Sequence, residues 1–155
     1  MKNSDDDLEL VPAIPTDAAK LADLRVLAMR ESLERIGRFD PDRACARFSS
    51  TFSSGNTRHI EITGCRVGFV VLISQPTHLL LDHLYIQPEN QNAGIGAAVL
   101  RRLFAEADEL GSSMRVGALR ESASNRFYLK HGFELVEKAE WDNYYVRPAR
   151  CWSRS

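Results

Sequence analysis

The chain has 155 residues, which suits one domain with one substantial core. Its 44% hydrophobic and 26% charged content is ordinary for a globular protein, and no apolar run approaches the ~18 residues that span a bilayer. Twenty Lys and Arg against 21 Asp and Glu give a net charge of −1, so the clustered basic face that duplex DNA requires has no support, and neither DNA nor a membrane is expected as a partner.

Met1 to Asp7 is polar and acidic and reads as a flexible tail rather than a secretory leader. Cys45, Cys65 and Cys151 are odd in number and lack a CxxC, which favours a reducing, cytoplasmic setting over a disulfide framework. His59, His78, His83 and His131 show no ligand spacing, and no metal site is assigned. Without repeats or a linker, residues 8–150 read as a single domain.

Leu8 to Ile14 alternates as a first strand. Pro15-Thr16-Asp17 offers an N-cap before a helix over Ala18 to Ile36. Asp40-Pro41 opens a second helix that runs to about Phe52 and is closed by Ser53-Ser54-Gly55-Asn56. Three strands follow, Thr57 to Thr63, Cys65 to Ser74 and Thr77 to Ile86, and their short connections imply antiparallel neighbours. Gly94 to Leu110 is a helix with Ile95, Val99, Leu103 and Leu110 on its apolar side, ended by Gly111. Met114 to Leu119 is a strand and Ser122 to His131 a short helix. Phe133 to Val136 and Trp141 to Val146 are the last strands. The order βααβββαβαββ predicts an α/β fold with a mixed, largely antiparallel sheet and one β-helix-β crossover over residues 77–119.

The segment that carries chemistry is the polar loop between the strand ending at Ile86 and the helix opening at Gly94-Ile95-Gly96. A helix N-terminus presents free N–H groups and about half a positive charge, and glycines let an anion approach the backbone. A pyrophosphate is the natural guest. A Walker loop would need Gly-Lys-Ser/Thr, and Gly96 is followed by Ala97-Ala98. The dinucleotide fingerprint would need a third glycine where Val99 stands. A tight turn without a ligand is the remaining alternative.

Gln91-Asn92-Ala93-Gly94-Ile95-Gly96 resembles the Gln/Arg-x-x-Gly-x-Gly/Ala signature of the GNAT superfamily of N-acetyltransferases. Tyr85-Ile86-Gln87-Pro88-Glu89 looks like its strand-to-loop segment, and Asn125 to Phe133 is similar to its second motif. One departure is that Glu121 stands where many members carry an Asn, while Asn125 lies four positions later. The resemblance implies the same element order and acetyl-CoA as co-substrate, held between the strand ending at Ile86 and the strand Met114 to Leu119. It implies that backbone groups of Leu84, Tyr85 and Ile86 meet the pantetheine. It further implies that amides from Gln91, Asn92, Ala93, Gly94, Ile95, Gly96 and Ala97 hold the pyrophosphate. Asn125 and Lys130, with Arg126 as an option, are the implied contacts on the second motif, and Tyr128 the implied proton donor.

Direct attack of an amine on the thioester needs a base, because an amine of pKa ~10.4 is neutral only about once in a thousand molecules near pH 7. Asp82 alternates in phase with Leu84 and Ile86 and is a carboxylate in an apolar run, so it is the first candidate. His83 faces the other way and is second, and Glu61 is third. The acceptor is a small-molecule or peptide amine. Trp141, Tyr144 and Tyr145 offer an aromatic wall for it, and Glu31, Glu34 and Asp142 an attraction for a cation. The resemblance also implies that Trp141 to Val146, among the C-terminal strands, could serve as a homodimer contact. A non-catalytic acyl-CoA sensor and a nucleotide-binding module remain open as other classes.

Overall fold

The computed structural model describes residues 7–35, 37, 40–91 and 93–150. The acidic tail therefore lies almost wholly outside the described residues, as do Asn92 and Cys151. The carbonyl of Asp7 accepts from Thr63 N–H at 3.2 Å.

The strands are β1 (Leu8–Pro12), β2 (Thr57–Ile62), β3 (Cys65–Ser74), β4 (His78–Ile86), β5 (Ser113–Leu119), β6 (Glu134–Lys138) and β7 (Asp142–Arg147). The helices are α1 (Ala18–Arg35), α2 (Pro41–Thr51), α3 (Ile95–Leu110) and α4 (Ser124–Lys130). This is the order expected from the sequence. The strands form one sheet in the order β1-β2-β3-β4-β5-β7-β6. β4 and β5 run parallel, as a crossover through α3 requires, while β1 with β2, β2 with β3, β5 with β7 and β6 with β7 are antiparallel. The β4–β5 ladder covers His78↔Ser113 to Leu81↔Val116, although β4 runs on to Ile86 and β5 to Leu119.

Packing groups the chain into two compact units, residues 1–71 with 83–96 and residues 72–82 with 97–155. In the first, Leu21, Phe48, Ile60, Phe69 and Val70 are buried. Phe48 packs on Phe69 at 5.8 Å between ring centroids, and Phe69 on Tyr85 at 5.9 Å. Asp40 caps α2 as expected, its carboxylate accepting from Arg43 N–H at 3.1 Å. Thr63 and Gly64 both have positive φ, the geometry of a two-residue hairpin turn between β2 and β3.

The N-cap expected before α1 falls earlier in the chain. Ile14 opens a 3-10 turn over Pro15–Asp17 that runs into the helix, and Asp17 reaches back to accept from Ile14 N–H at 2.9 Å. The same carboxylate oxygen bonds His59 Nε2 at 2.8 Å, tying this turn to β2. Proline at the first position of the turn leaves no N–H to cap there, so the exposed donor is the one on Ile14.

In the second unit the apolar stripe of α3 runs through Val99, Leu100, Leu103 and Ala107, all fully buried, and Met114 and Val116 of β5 are buried as well. Leu110, expected on that stripe, is 68% exposed because it is the terminal residue of the helix, past the packed turns. Arg147 of β7 is buried, lies over the Phe104 ring at 4.1 Å, and makes paired bonds to Asp108 at 2.9 and 3.2 Å. Strand β6 ends the sheet with all five residues exposed, whereas Phe133, expected to be its first residue, is core.

Candidate active site

At its C-terminal end β4 changes character. The residues that share a face with Phe69 are packed, with Tyr85 buried and His83 against Phe48 at 5.3 Å between ring centroids. Asp82, Leu84 and Ile86 alternate onto the other face, where Asp82 is exposed and Leu84 and Ile86 are half-buried. The two base candidates on this strand are thus separated by strand alternation, as the sequence implied.

His83 is poorly suited to take a proton. Burial, and then the positive charges of Arg25 and Arg47, hold its pKa down at about 3, and Arg25 Nε approaches its Nε2 at 3.4 Å. The ring is therefore neutral at physiological pH, with Nδ1 carrying its proton. Glu61 is engaged with Arg66 at 3.3 Å on β2. Asp82 is the candidate whose carboxylate reaches solvent.

After Ile86 the chain turns sharply. Gln87 N–H donates to Val67 O at 2.7 Å, and a 3-10 turn over Pro88–Asn90 follows. Gln91 closes that turn twice. Its backbone N–H donates to Pro88 O at 3.2 Å, and its side-chain Nε2 donates to Ile86 O at 2.8 Å. The backbone N–H, expected at the pyrophosphate, and the side chain thus both bond within the loop. The chain then passes through Gly94 at φ +80°, a conformation costly for a residue with a Cβ, and enters α3 at Ile95. Nothing stands within 4 Å of the place a Cβ would take at Gly94, and no acidic residue occupies the first turn of α3. The N–H groups of Ile95, Gly96 and Ala97 have no partner within the helix by geometry. A helix start with free N–H groups, room at Gly94 and no first-turn carboxylate suits an anion such as a pyrophosphate.

On the second motif, Tyr128 of α4 is a core ring with an ionisable end. It packs on Phe133 at 5.3 Å, Phe127 at 5.5 Å and Tyr145 at 6.3 Å between ring centroids. Burial raises its pKa above the ordinary phenol value, so it is protonated throughout the physiological range. Among the described residues its hydroxyl has no hydrogen-bond partner, unusual for a buried tyrosine. Arg126 and Lys130 are exposed on the same helix.

Asn125 is a structural hub. Its Oδ1 accepts from Tyr145 OH at 2.7 Å and Asn143 Nδ2 at 2.9 Å, and its Nδ2 donates to Leu119 O at 2.7 Å and Ser122 O at 2.9 Å. That uses two lone pairs and two hydrogens, the whole capacity of the amide. Asn125 therefore holds α4 and β7 to the end of β5 through both ends of its amide. Asn125→Ala is expected to lose about 3 kcal/mol, at ~1–3 kcal/mol for each buried group left unpaired, and chemical denaturation checks it. A loss under about 1 kcal/mol would remove the hub from this account.

Strand alternation separates Tyr144 from Tyr145 on β7, the first 41% exposed and the second buried, while Trp141 precedes the strand and is 39% exposed. Glu34 is exposed and paired with Arg30 at 3.4 Å.

Among the described residues the sheet is mixed α/β with one parallel pair, β4 with β5, joined through α3. The sequence model described as "Acetyltransferase (GNAT) domain" matches residues 56–135. The chain belongs to the GNAT family of acetyltransferases. No curated protein sequence gives a significant match. Among solved structures, the PaiA N-acetyltransferase of Thermoplasma acidophilum in complex with coenzyme A superposes with TM-score 0.74 at 16% identity, covering 91% of this chain and 98% of that one. An acetyltransferase of Thermus thermophilus gives TM-score 0.70 at 22% identity, covering 91% and 96%. At these identities the likeness is one of fold. No described helix is long and apolar enough to cross a membrane.

Proposed function

We propose that residues 8–150 form an N-acetyltransferase domain that uses acetyl-CoA and passes the acetyl group to a primary amine by direct attack. The observation that carries this reading is the start of α3. There a family-signature Gly94-Ile95-Gly96 opens the helix with Gly94 at φ +80°, nothing within 4 Å of the place its Cβ would take, and no acidic side chain in the first turn. The PaiA neighbour was solved with coenzyme A, which accords with the same choice.

The amides of Ile95, Gly96 and Ala97, with those of Ala93 and Gly94, bind the pyrophosphate. The flanking Gln91 and Asn92 complete the loop. Backbone groups of Leu84, Tyr85 and Ile86 bind the pantetheine, and Lys130 supplies a point charge toward the ribose phosphate. Acetyl-CoA supplies an activated thioester when bound. Asp82 accepts the proton leaving the attacking amine nitrogen, directly or through a water. Tyr128 donates its phenolic proton to the departing sulfur, whose thiol pKa near ~8.5 lies below that of the phenol and makes the sulfur only a moderate base. Tyr128 is returned to its protonated form by solvent.

The acceptor is a small molecule or peptide amine, with Trp141 and Tyr144 as exposed aromatic contacts. The exposed edge strand β6 is the contact through which two copies would pair. The setting proposed is the cytoplasm.

The direct test is release of free CoA thiol from acetyl-CoA over a panel of primary amines. Amine-dependent release supports the enzyme, whereas tight binding without release under any amine favours the sensor. Asp82→Asn is expected to lower turnover about 10²-fold or more near neutral pH. Unchanged turnover would make Asp82 structural.

A further inference from the structure

Gly68 sits in the middle of β3, fully inside a strand, where glycine is otherwise a poor choice. Its place is explained by the neighbouring strand. A Cβ built on Gly68 would lie 1.9 Å from the carbonyl oxygen of Tyr85, 2.9 Å from its carbonyl carbon and 3.1 Å from Ile86 Cα. These are backbone atoms, which cannot swing aside as a side-chain end would. The Tyr85 carbonyl thus occupies the volume that any other residue at 68 would claim.

The direction of that carbonyl matters. Phe69 shares its face with His83 and Tyr85, as the ring contacts show, so alternation puts the side-chain position of Gly68 on the face that carries Leu84 and Ile86. A peptide unit is planar and trans, so turning the Tyr85 carbonyl toward Gly68 turns the Ile86 N–H the opposite way. Two further bonds fix this segment: Gln87 N–H to Val67 O at 2.7 Å, and Gln91 Nε2 to Ile86 O at 2.8 Å. The end of β4 is thus held by β3 on one side and by the signature loop on the other.

We infer that Gly68 is a positioning residue for the cofactor. Its missing side chain lets the Tyr85–Ile86 peptide adopt the one orientation in which the Ile86 N–H is presented as a donor to acetyl-CoA. This rests on the acetyl-CoA reading above. The geometry assigns the role to a residue outside both signature motifs, on a different strand from the groups it aims.

Calorimetric titration of the parent protein with acetyl-CoA comes first, because absence of binding would sink the acetyl-CoA reading itself. Given binding, Gly68→Ala is compared with Gly55→Ala, whose added Cβ would meet only Ser53 Oγ at 3.7 Å. Gly68→Ala is expected to weaken acetyl-CoA binding about tenfold or more, the scale of one misaligned hydrogen bond with its neighbours, while Gly55→Ala stays within about twofold. Folded Gly68→Ala that binds as tightly as the parent overturns the inference. Should Gly68→Ala fail to fold, the parent labelled with ¹⁵N decides. A downfield shift and slowed exchange of the Ile86 amide on adding acetyl-CoA supports the inference, and an Ile86 amide that does not respond overturns it.

Discussion

Asp108→Ala is expected to destabilise the protein by about 3 kcal/mol, which for a chain of this length lowers the melting midpoint by ~6–12 °C. Arg147 is 2% exposed and lies over the Phe104 ring, so its guanidinium is out of water and depends on Asp108 for its counter-charge. Removing the carboxylate strands that charge, which costs more than the intact pair contributes. The estimate stays below the ~5 kcal/mol upper end for buried pairs because the Asp108 side chain is 31% exposed.

Two controls separate charge from packing. Asp108→Leu combined with Arg147→Met removes both charges and is expected to recover most of the loss. The parent should also weaken in acid. The hydrogen bonds from Arg147 hold the Asp108 carboxyl below its ordinary value of 3.8, so its contribution is complete above that value and fades as pH falls through the lower folded-state value. A single variant that melts within about 2 °C of the parent would show that the pair is dispensable.

Tyr128→Phe is expected to lower kcat about 10²-fold or more while changing acetyl-CoA affinity less than threefold, the signature of a lost proton donor rather than a lost contact. The ring is held by Phe127, Phe133 and Tyr145, and phenylalanine preserves all three contacts. The hydroxyl has no partner among the described residues, so its removal leaves no buried group stranded and stability should change little. Because burial raises the phenol's pKa, the donor is protonated at every working pH, and no basic limb from Tyr128 should appear below about pH 10. Equal turnover of the variant would make Tyr128 a core residue only.

Much of this was legible in the chain itself. Apolar runs, helical spacing and turn residues located the strands and helices among the described residues to within a few residues. The loop at Gly94 was legible because left-handed backbone and close anion approach both select glycine. What the sequence did not disclose depends on partners remote along the chain. Asn125 reads as a motif residue, and only its bonds to Asn143 and Tyr145 show that its amide is fully used. Gln91 reads as a phosphate ligand, yet its donors close the loop onto Pro88 and Ile86. The pairing of Arg147 on β7 with Asp108 on α3 joins residues 39 positions apart and has no local signal. The need for glycine at 68 comes from the Tyr85 carbonyl on β4, which no local pattern announces. His83 lies one residue from Asp82, yet its low pKa comes from burial beside Phe48 and Phe69 and from arginines on two helices.

The central claim is that the loop entering α3 binds acetyl-CoA. Calorimetric titration of the purified protein with acetyl-CoA, with ATP and NAD as controls, tests it most directly. The account predicts saturable one-to-one binding of acetyl-CoA, near micromolar, with ATP and NAD far weaker. No heat of binding with acetyl-CoA, or equal affinity for all three, would contradict it.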